Sequence, residues 1–256
     1  MVKEENKQSD DLKPILDAYR LASKRLLLLD YDGTLAPYAP RPEQAKPTGQ
    51  TLAVIKKLAN DSRNTVIIIS GRQRDVLDEW LGHLPVQLIA EHGAFEKYDG
   101  TWQTIISLGQ NWKEKIRSVM QPYINKTLGT LLEEKDTALV FHYRDATDPK
   151  KAKITADTLF DKLKPIANKL GLHISHASMT IEVREEGADK GQAALNSLAL
   201  DNYDFVLCAG DSQTDEDMFT KLSQKAFCIK VGPEKTAATH RVKSPEALLN
   251  FLEVCA

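Results

Sequence analysis

One stretch sets the architecture of the chain: Leu27-Leu28-Leu29-Asp30-Tyr31-Asp32-Gly33-Thr34-Leu35. The apolar run at residues 26–29 is typical of a strand that is buried on both faces. The strand ends at two carboxylates, Asp30 and Asp32, and Gly33 then breaks it. Because ligands bind outside the carboxyl ends of strands in parallel sheets, these acids predict a site for metal-assisted group transfer with a carboxylate nucleophile. The alternative is an ordinary turn that carries solvated acids.

Length and composition favour a soluble globular protein of 256 residues, folded as one large domain or two small ones. The net charge of −2 gives no sign of a surface for nucleic acid or anionic membranes. No apolar run approaches the roughly 20 residues needed to cross a bilayer. The three cysteines, Cys208, Cys228 and Cys255, show no metal-ligand or redox spacing, which suits a reducing compartment. We therefore expect a cytoplasmic protein with no nucleic-acid partner and no membrane partner.

Four further apolar runs repeat the pattern of the first strand. They lie at residues 65–69, 86–90, 204–209 and 227–229. The first three end in a polar or glycine-containing turn, and helical periodicity follows two of those turns. Alternating strands and helices of this kind predict an α/β fold with a doubly wound, mostly parallel, Rossmann-like sheet. Asp99-Gly100 predicts a β-hairpin within residues 96–105.

The pattern changes between residues 107 and 186. Here the order is helix, two strands, helix, two strands, and the strands alternate apolar and polar residues, as in an antiparallel sheet with one packed face. We predict an inserted α+β cap domain at 107–186, which divides the core domain into 1–106 and 187–256. Pro165 is expected to bend or interrupt the long helix at 149–170.

Polar residues from separate segments are expected at the same edge of the predicted core sheet. They are Asp30, Asp32, Ser70, Lys190, Asp211 and Asp215. Together they suit phosphoryl transfer, because one carboxylate can attack phosphorus while a second acid protonates the leaving alcohol and later activates water. Mg²⁺ prefers such hard oxygen ligands, and a serine, backbone N–H groups and a lysine can hold phosphate.

The same segments resemble a known superfamily. Asp30-Tyr31-Asp32-Gly33-Thr34 is similar to the signature of haloacid-dehalogenase-type phosphohydrolases. Ser70, Lys190 and the stretch Gly210-Asp211-Ser212-Gln213-Thr214-Asp215 resemble the other three signatures, in the same order. Within that superfamily, residues 24–255 are most similar to trehalose-6-phosphate phosphatases. The short matches behind this are Ser70-Gly71-Arg72, Glu91-His92-Gly93, Glu133-Glu134-Lys135, His142-Tyr143-Arg144, Glu182-Val183-Arg184 and Thr214-Asp215-Glu216-Asp217.

The resemblance implies a role for each core residue. Asp30 corresponds to the nucleophile and also binds Mg²⁺, whereas Asp32 corresponds to the general acid/base, with its backbone carbonyl on the metal. Asp211 corresponds to the third protein ligand of Mg²⁺, and Asp215 steadies the metal site without binding the metal itself. The family often has a second aspartate directly after the first in this last segment, where this chain has Ser212.

The resemblance also implies a substrate site. Ser70 and Lys190 would hold the phosphate. The residues expected to bind the rest of the substrate are Arg72, His92, Glu133, Lys135, Arg144 and Glu182. From spacing alone, the acids and bases of the insert indicate a solvated sheet face with cross-strand ion pairs, and only the resemblance favours a sugar site. Arg72 also fits a surface residue, and His92 fits a structural histidine in a turn.

We expect a Mg²⁺-dependent phosphatase that hydrolyses a disaccharide phosphate, trehalose 6-phosphate before others, through an aspartyl-phosphate intermediate. The alternatives are a phosphatase for sucrose phosphate or mannosylglycerate phosphate, a phosphohexomutase, and a non-catalytic module that senses a sugar phosphate. The resemblance implies a small-molecule sugar phosphate as substrate and makes a trehalose-phosphate synthase a candidate partner.

Overall fold

The computed structural model describes residues 2–109, 111–177 and 179–256, with side chains described from residue 12 onward. The helices are α1 Val2–Leu21, α2 Gly49–Asn60, α3 Arg74–Leu81, α4 Trp112–Lys126, α5 Pro149–Lys169, α6 Lys190–Leu198, α7 Gln213–Leu222 and α8 Pro245–Cys255. The strands are β1 Arg25–Leu29, β2 Asn64–Ile69, β3 Gln87–Ala90, β4 Phe95–Tyr98, β5 Thr101–Thr104, β6 Leu131–Glu134, β7 Ala138–His142, β8 Leu172–Ala177, β9 Thr180–Glu185, β10 Phe205–Gly210, β11 Phe227–Val231 and β12 His240–Val242. Short 3₁₀ helices lie at Pro42–Gln44 and Glu91–Gly93.

The chain forms two compact units. The core unit comprises Met1–Tyr38, Ala45–Gln103 and Asp189–Ala256. The inserted unit comprises Ala39–Gln44 and Thr104–Ala188. The short segment Ala39–Gln44 therefore belongs to the inserted unit, although several helices and strands of the core unit separate it from the rest of that unit in sequence.

An eight-stranded sheet organises the core unit, in the order β12-β11-β10-β1-β2-β3-β4-β5. Strands β12 to β3 are mutually parallel, and β4 pairs antiparallel with β3. The order reverses at β1, because the chain moves from β1 to β2 on one side and returns to β10 on the other. Such a reversal opens a crevice at the carboxyl ends of the strands. The doubly wound, mostly parallel sheet with an inserted α+β unit confirms the predicted fold class.

The apolar runs form central strands because helices cover both faces of the sheet. Every residue of β1 is buried, and a fully buried leucine side chain contributes about 1.5–3 kcal/mol. One face packs against α6 and α7 through a cluster that includes Leu26, Leu28, Ile67, Ile69, Ala194, Met218, Phe219 and Leu222. Helix α2 packs against β2 and against α8.

One core strand was not predicted from the sequence. β12 has only three residues, His240–Val242, and a single one of them is aliphatic. It forms because β11 offers a free parallel edge, where Ile229 pairs with His240 and Val231 with Val242. An edge strand of this kind depends on its neighbour and has no apolar run of its own.

The inserted unit has a four-stranded antiparallel sheet in the order β6-β7-β9-β8. Leu139 and Phe141 of β7 and Ile181 and Val183 of β9 pack with α4 and α5. Helix α5 continues through Pro165 to Lys169, so this proline does not interrupt the helix, and a bend at Pro165 stays a prediction. Apolar packing of the helix offsets the hydrogen bond that the proline cannot donate.

None of the described helices is long and apolar enough to cross a membrane.

Candidate active site

Asp30 lies immediately after β1, between β10 and β2, where the strand order of the core sheet reverses. Its side chain is buried. The Lys190 ammonium donates to Asp30 Oδ1 at 2.6 Å, and the Thr34 hydroxyl donates to Asp30 Oδ2 at 2.9 Å. Both oxygens of the carboxylate are therefore fixed, which gives a preorganised group at the crevice.

Lys190 joins Asp30 to Asp215. It is the first residue of α6, whose N-terminus is capped by the side chain of Asp189. Its ammonium donates to Asp215 Oδ1 at 2.7 Å. The other oxygen of Asp215 accepts from the backbone amides of Asp211, at 3.0 Å, and Ser212, at 2.8 Å, and from the Ser212 hydroxyl at 2.7 Å. Ser212 thus caps α7, and Asp215 holds the turn that carries Asp211.

Asp211 completes the cluster. Its carboxylate approaches the backbone of Gly33, where an added Cβ would lie 2.3 Å from Asp211 Oδ2. Gly33 has φ +79°, so this turn uses both the missing side chain and the left-handed backbone of glycine. The Tyr38 hydroxyl donates to Asp211 Oδ2 at 2.9 Å.

The cluster contains more carboxylates than cations. Burial and the charge of Asp215 raise the pKa of Asp211 to about 6. Burial, together with Asp215, also raises the pKa of Asp30 well above its ordinary value, against the opposing effect of Lys190. The pKa of Asp215 is lowered despite its burial, because Lys190 and the Ser212 amide stabilise its charged form.

This arrangement fits a divalent cation that prefers oxygen ligands. One oxygen each from Asp30, Asp211 and Asp215 lies within 4.8 Å of the other two. Asp215 accepts four hydrogen bonds, from Lys190 and from the α7 turn, whereas Asp30 accepts two, so Asp30 and Asp211 are the better ligands. A cation between them would offset the negative charge that, after burial, raises both pKa values.

Asp32 and Arg72 form a close ion pair. Arg72 Nε donates to Asp32 Oδ2 at 2.8 Å, and Arg72 Nη2 donates to Asp32 Oδ1 at 2.6 Å. The guanidinium also lies 4.4 Å from the centre of the Trp80 ring. Such bidentate pairing fixes the plane of a carboxylate. The structure therefore brings Arg72 to Asp32 rather than leaving it as an isolated surface residue.

Ser70 lies at the end of β2, beside β1, in a turn supported by the next strand. Its buried hydroxyl accepts from the backbone amide of Arg72 at 3.2 Å. The turn after β3 is joined to it by hydrogen bonds from the Glu91 amide to the Arg72 carbonyl and from the His92 amide to the Ser70 carbonyl, both 3.0 Å. Glu91 and His92 have φ +46° and +61°, a conformation that non-glycine residues rarely adopt. The imidazole of His92 packs on Gly71, where a Cβ would lie 2.6 Å from the ring.

Three of the four predicted residues of the inserted unit, Glu133, Lys135 and Glu182, lie on the sheet face opposite its helices. Glu133 is paired in register with Val140, and Val140 with Glu182, so these three residues share a face. Glu133 Oε2 lies 2.8 Å from His142 Nε2, and Lys135 Nζ lies 3.3 Å from Glu182 Oε1. We call this the polar face of the inserted unit: Glu133, Lys135, His142, Glu182 and Arg184. Arg144 follows β7, two residues beyond its end.

The sequence prediction missed three residues of the core site: Thr34, Tyr38 and Lys230. Thr34 lies in the motif of residues 30–34, but the resemblance assigns it no role, and Tyr38 lies in a proline-rich loop that has no periodic signal. Lys230 had a signal that could have been used, because a lysine inside the apolar strand Phe227–Val231 needs a partner. It is buried, and its ammonium donates to the main-chain carbonyl of Asp211.

Comparison with known proteins agrees with this geometry. A family profile described as "Trehalose-phosphatase" matches residues 28–253. A bifunctional trehalose-6-phosphate synthase/phosphatase from Thermoproteus tenax is 40% identical over 233 residues, which cover 91% of this chain and 32% of that protein. A trehalose-phosphatase from Schizosaccharomyces pombe is 35% identical over 238 residues, which cover 86% of this chain and 29% of that protein.

A solved structure gives the same picture. The C-terminal domain of a C. albicans trehalose-6-phosphate phosphatase is 31% identical and has a TM-score of 0.89, covering 94% of this chain and 96% of that chain. The present chain spans about a third of the length of the curated relatives it matches. The profile match and these identities show that the chain belongs to the trehalose-phosphatase family.

Proposed function

We propose that this chain is a Mg²⁺-dependent phosphatase that hydrolyses trehalose 6-phosphate to trehalose and phosphate through an aspartyl-phosphate intermediate. The observation that carries the proposal is the buried cluster of Asp30, Lys190, Asp211 and Asp215 at the carboxyl edge of the parallel sheet. Membership of the trehalose-phosphatase family supports the substrate.

The proposed reaction begins at Asp30. One oxygen of its carboxylate attacks the phosphorus atom, and the bond between phosphorus and the sugar oxygen breaks. Asp32, as the general acid, gives a proton to the departing sugar oxygen. Asp32 then accepts a proton from the water that attacks the aspartyl phosphate, so that inorganic phosphate leaves and Asp30 is restored.

Neighbouring residues prepare this chemistry. Thr34 and Lys190 hold the two oxygens of Asp30, and Lys190 with Ser70 supplies donors for the phosphate oxygens. Arg72 fixes the plane of the Asp32 carboxylate through two hydrogen bonds. Together with His92, it is proposed to contact the phosphate end of the substrate.

Asp30, the backbone carbonyl of Asp32, and Asp211 would hold Mg²⁺, with Asp215 as the residue that fixes their positions. When bound, the metal ion neutralises charge on the transferred phosphoryl group. Removal of Mg²⁺ with EDTA is expected to abolish turnover, and added Mg²⁺ to restore it.

The polar face of the inserted unit is proposed to bind the sugar. Glu133, Lys135 and Glu182 of this face, together with Arg144 after β7, offer charged donors and acceptors, which make strong hydrogen bonds to sugar hydroxyls. Phosphatases of sucrose phosphate or mannosylglycerate phosphate, and a phosphohexomutase, remain the alternative functions, since the reacting groups would be the same. A non-catalytic sensing module is a further alternative.

We also propose a cytoplasmic location and association with a trehalose-phosphate synthase. Cys208 and Cys228 are buried free thiols, as expected in a reducing compartment. The relative from T. tenax is described as a bifunctional synthase/phosphatase, and it is much longer than the region that this chain matches.

A panel of sugar phosphates tests the proposed function. The chain is incubated with Mg²⁺ and, separately, trehalose 6-phosphate, sucrose phosphate, mannosylglycerate phosphate and a hexose phosphate, and both free phosphate and sugar phosphates are measured. We expect phosphate release that is fastest with trehalose 6-phosphate. An isomeric sugar phosphate without free phosphate would indicate a mutase, and binding without turnover in saturating Mg²⁺ would indicate a sensor.

A further inference from the structure

Lys230 is a buried cation in a strand that is otherwise apolar. It belongs to β11, Phe227–Val231, and its side chain is 2% exposed. Removing an ammonium group from water is unfavourable by several kcal/mol unless other groups compensate for the lost hydration. The contacts of Lys230 should therefore explain why this strand carries a charge.

The contacts of Lys230 form a chain that ends in a loop. Its ammonium donates to the main-chain carbonyl of Asp211 and lies 3.5 Å from Glu216 Oε1. The other oxygen of Glu216 accepts from the Thr236 hydroxyl at 3.2 Å and from the Ala237 amide at 2.7 Å. Glu216 thus neutralises the lysine and ties it to the loop between β11 and β12.

The carbonyl of Asp211 depends on this lysine. Ser212 is the N-cap of α7, so the carbonyl before it makes no hydrogen bond within the helix. The amide of Asp211 donates to Asp215 Oδ2 at 3.0 Å, and its carboxylate accepts from Tyr38 at 2.9 Å. Lys230 fixes the third polar group of the residue, and with it the direction in which the side chain leaves the backbone.

We propose that Lys230, neutralised by Glu216, is a positioning residue that holds Asp211 in the orientation required for binding Mg²⁺. The inference rests on the proposed function, because it assumes that Asp211 is a ligand of that ion. Strand β11 and the loop after it would then take part in metal binding, although they lie outside the sequence motifs and outside the strand that precedes Asp30.

Replacing Lys230 by a neutral residue distinguishes positioning from simple electrostatics, because the two predict opposite changes in Mg²⁺ affinity. If Lys230 acted only as a nearby positive charge, replacing it by neutral methionine would tighten Mg²⁺ binding, because like charges repel. If it positions Asp211, the same replacement weakens binding. Loss of a group that orients a metal ligand typically weakens metal affinity by about 10- to 100-fold.

Calorimetric titration of the whole chain with MgCl₂ measures this sign. For Lys230→Met we expect the dissociation constant of Mg²⁺ to rise about tenfold or more. The Mg²⁺ concentration for half-maximal hydrolysis of p-nitrophenyl phosphate should rise in parallel, whereas kcat at saturating Mg²⁺ should change by less than about threefold. Lys235→Met, an exposed lysine on the same loop, is the matched control and should keep the original affinity.

An unchanged or smaller dissociation constant in Lys230→Met overturns the inference, even if that variant is less stable, since the lysine would then be only structural. If Lys230→Met does not fold, Glu216→Gln is titrated beside the exposed control Glu234→Gln, and equal affinities in the two variants overturn it. Absence of Mg²⁺ binding by the unmodified chain would contradict the proposed function itself and this inference with it. Mg²⁺ binding and turnover in the unmodified chain, with full affinity in Lys230→Met, would contradict this inference alone.

Discussion

Asp211 shows at the scale of one residue how the proposed metal site would favour a cation. Its pKa of about 6 results from burial and from the neighbouring Asp215. If Asp211 is a ligand of Mg²⁺, as proposed, a proton competes with the ion for Asp211 at a higher pH than for an ordinary aspartate. Since only the ionised carboxylate binds the metal, affinity should fall as the pH falls through this pKa.

We predict that the dissociation constant of Mg²⁺ rises at least about tenfold between about pH 7.5 and about pH 5, where about one Asp211 in ten is ionised. Calorimetric titration at the two pH values measures it, with circular dichroism to verify that the chain is folded at both. Equal affinity at both values would mean that Asp211 is not a ligand or that its pKa is ordinary.

The sequence indicated which residues would lie at the edge of the sheet, because strands end where polar residues follow apolar runs. In the structure, the Lys190 ammonium donates hydrogen bonds to both Asp30 and Asp215. The partners of Asp211 were not predictable in the same way. Tyr38 and Lys230 reach it from a loop and from a neighbouring strand, and such contacts depend on side-chain geometry that spacing does not contain.

At the scale of elements, the proposed metal site depends on the backbone turn after β1 as well as on the acids that the turn carries. Gly33 has φ +79°, and a Cβ there would lie 2.3 Å from Asp211 Oδ2. We predict that Gly33→Ala displaces the Asp211 carboxylate and raises the dissociation constant of Mg²⁺ at least about tenfold. Stability should fall by about 1–2 kcal/mol, because alanine is strained in this conformation.

Gly100→Ala separates the two effects. Gly100 has φ +77° in the turn between β4 and β5, and a Cβ there would have no neighbour within 4 Å. This variant should lose similar stability in thermal unfolding but keep its affinity for Mg²⁺. If both variants bind Mg²⁺ as the original chain does, the close approach of Asp211 to this turn has no role in metal binding.

The elements themselves were predictable to different degrees. The apolar runs at residues 26–29 and 65–69 predicted central strands, because a strand that is buried on both faces is apolar along its length. β12 was missed, since its stability comes from the edge of β11. The pairing of Glu133 with His142 was also out of reach, because it depends on the register of β6 against β7.

At the scale of the molecule, the proposed function divides the work: the core unit performs the chemistry, and the polar face of the inserted unit binds the sugar. We predict that Glu133→Ala combined with Lys135→Ala lowers kcat/KM for trehalose 6-phosphate about 100-fold, because two hydrogen bonds to charged groups are worth about 1.5 kcal/mol each. Hydrolysis of p-nitrophenyl phosphate, which has no sugar, should change less than about threefold.

The matched control removes an ion pair from the same unit. Lys153 and Asp157 form an exposed pair on α5, with Lys153 Nζ 2.9 Å from Asp157 Oδ2. Replacing both by alanine should leave both substrates unaffected, since exposed pairs contribute little. Equal losses on the two substrates in the Glu133/Lys135 variant would mean that the polar face does not bind the sugar.

The central claim is that Asp30 carries the phosphoryl group. The most direct measurement compares phosphate release from trehalose 6-phosphate, in saturating Mg²⁺, by the original chain and by Asp30→Asn. The variant keeps the shape of the side chain and should retain the fold by circular dichroism, while turnover falls by about 10⁴-fold or more because the nucleophile is lost. Substantial phosphate release by a folded Asp30→Asn variant would contradict the claim.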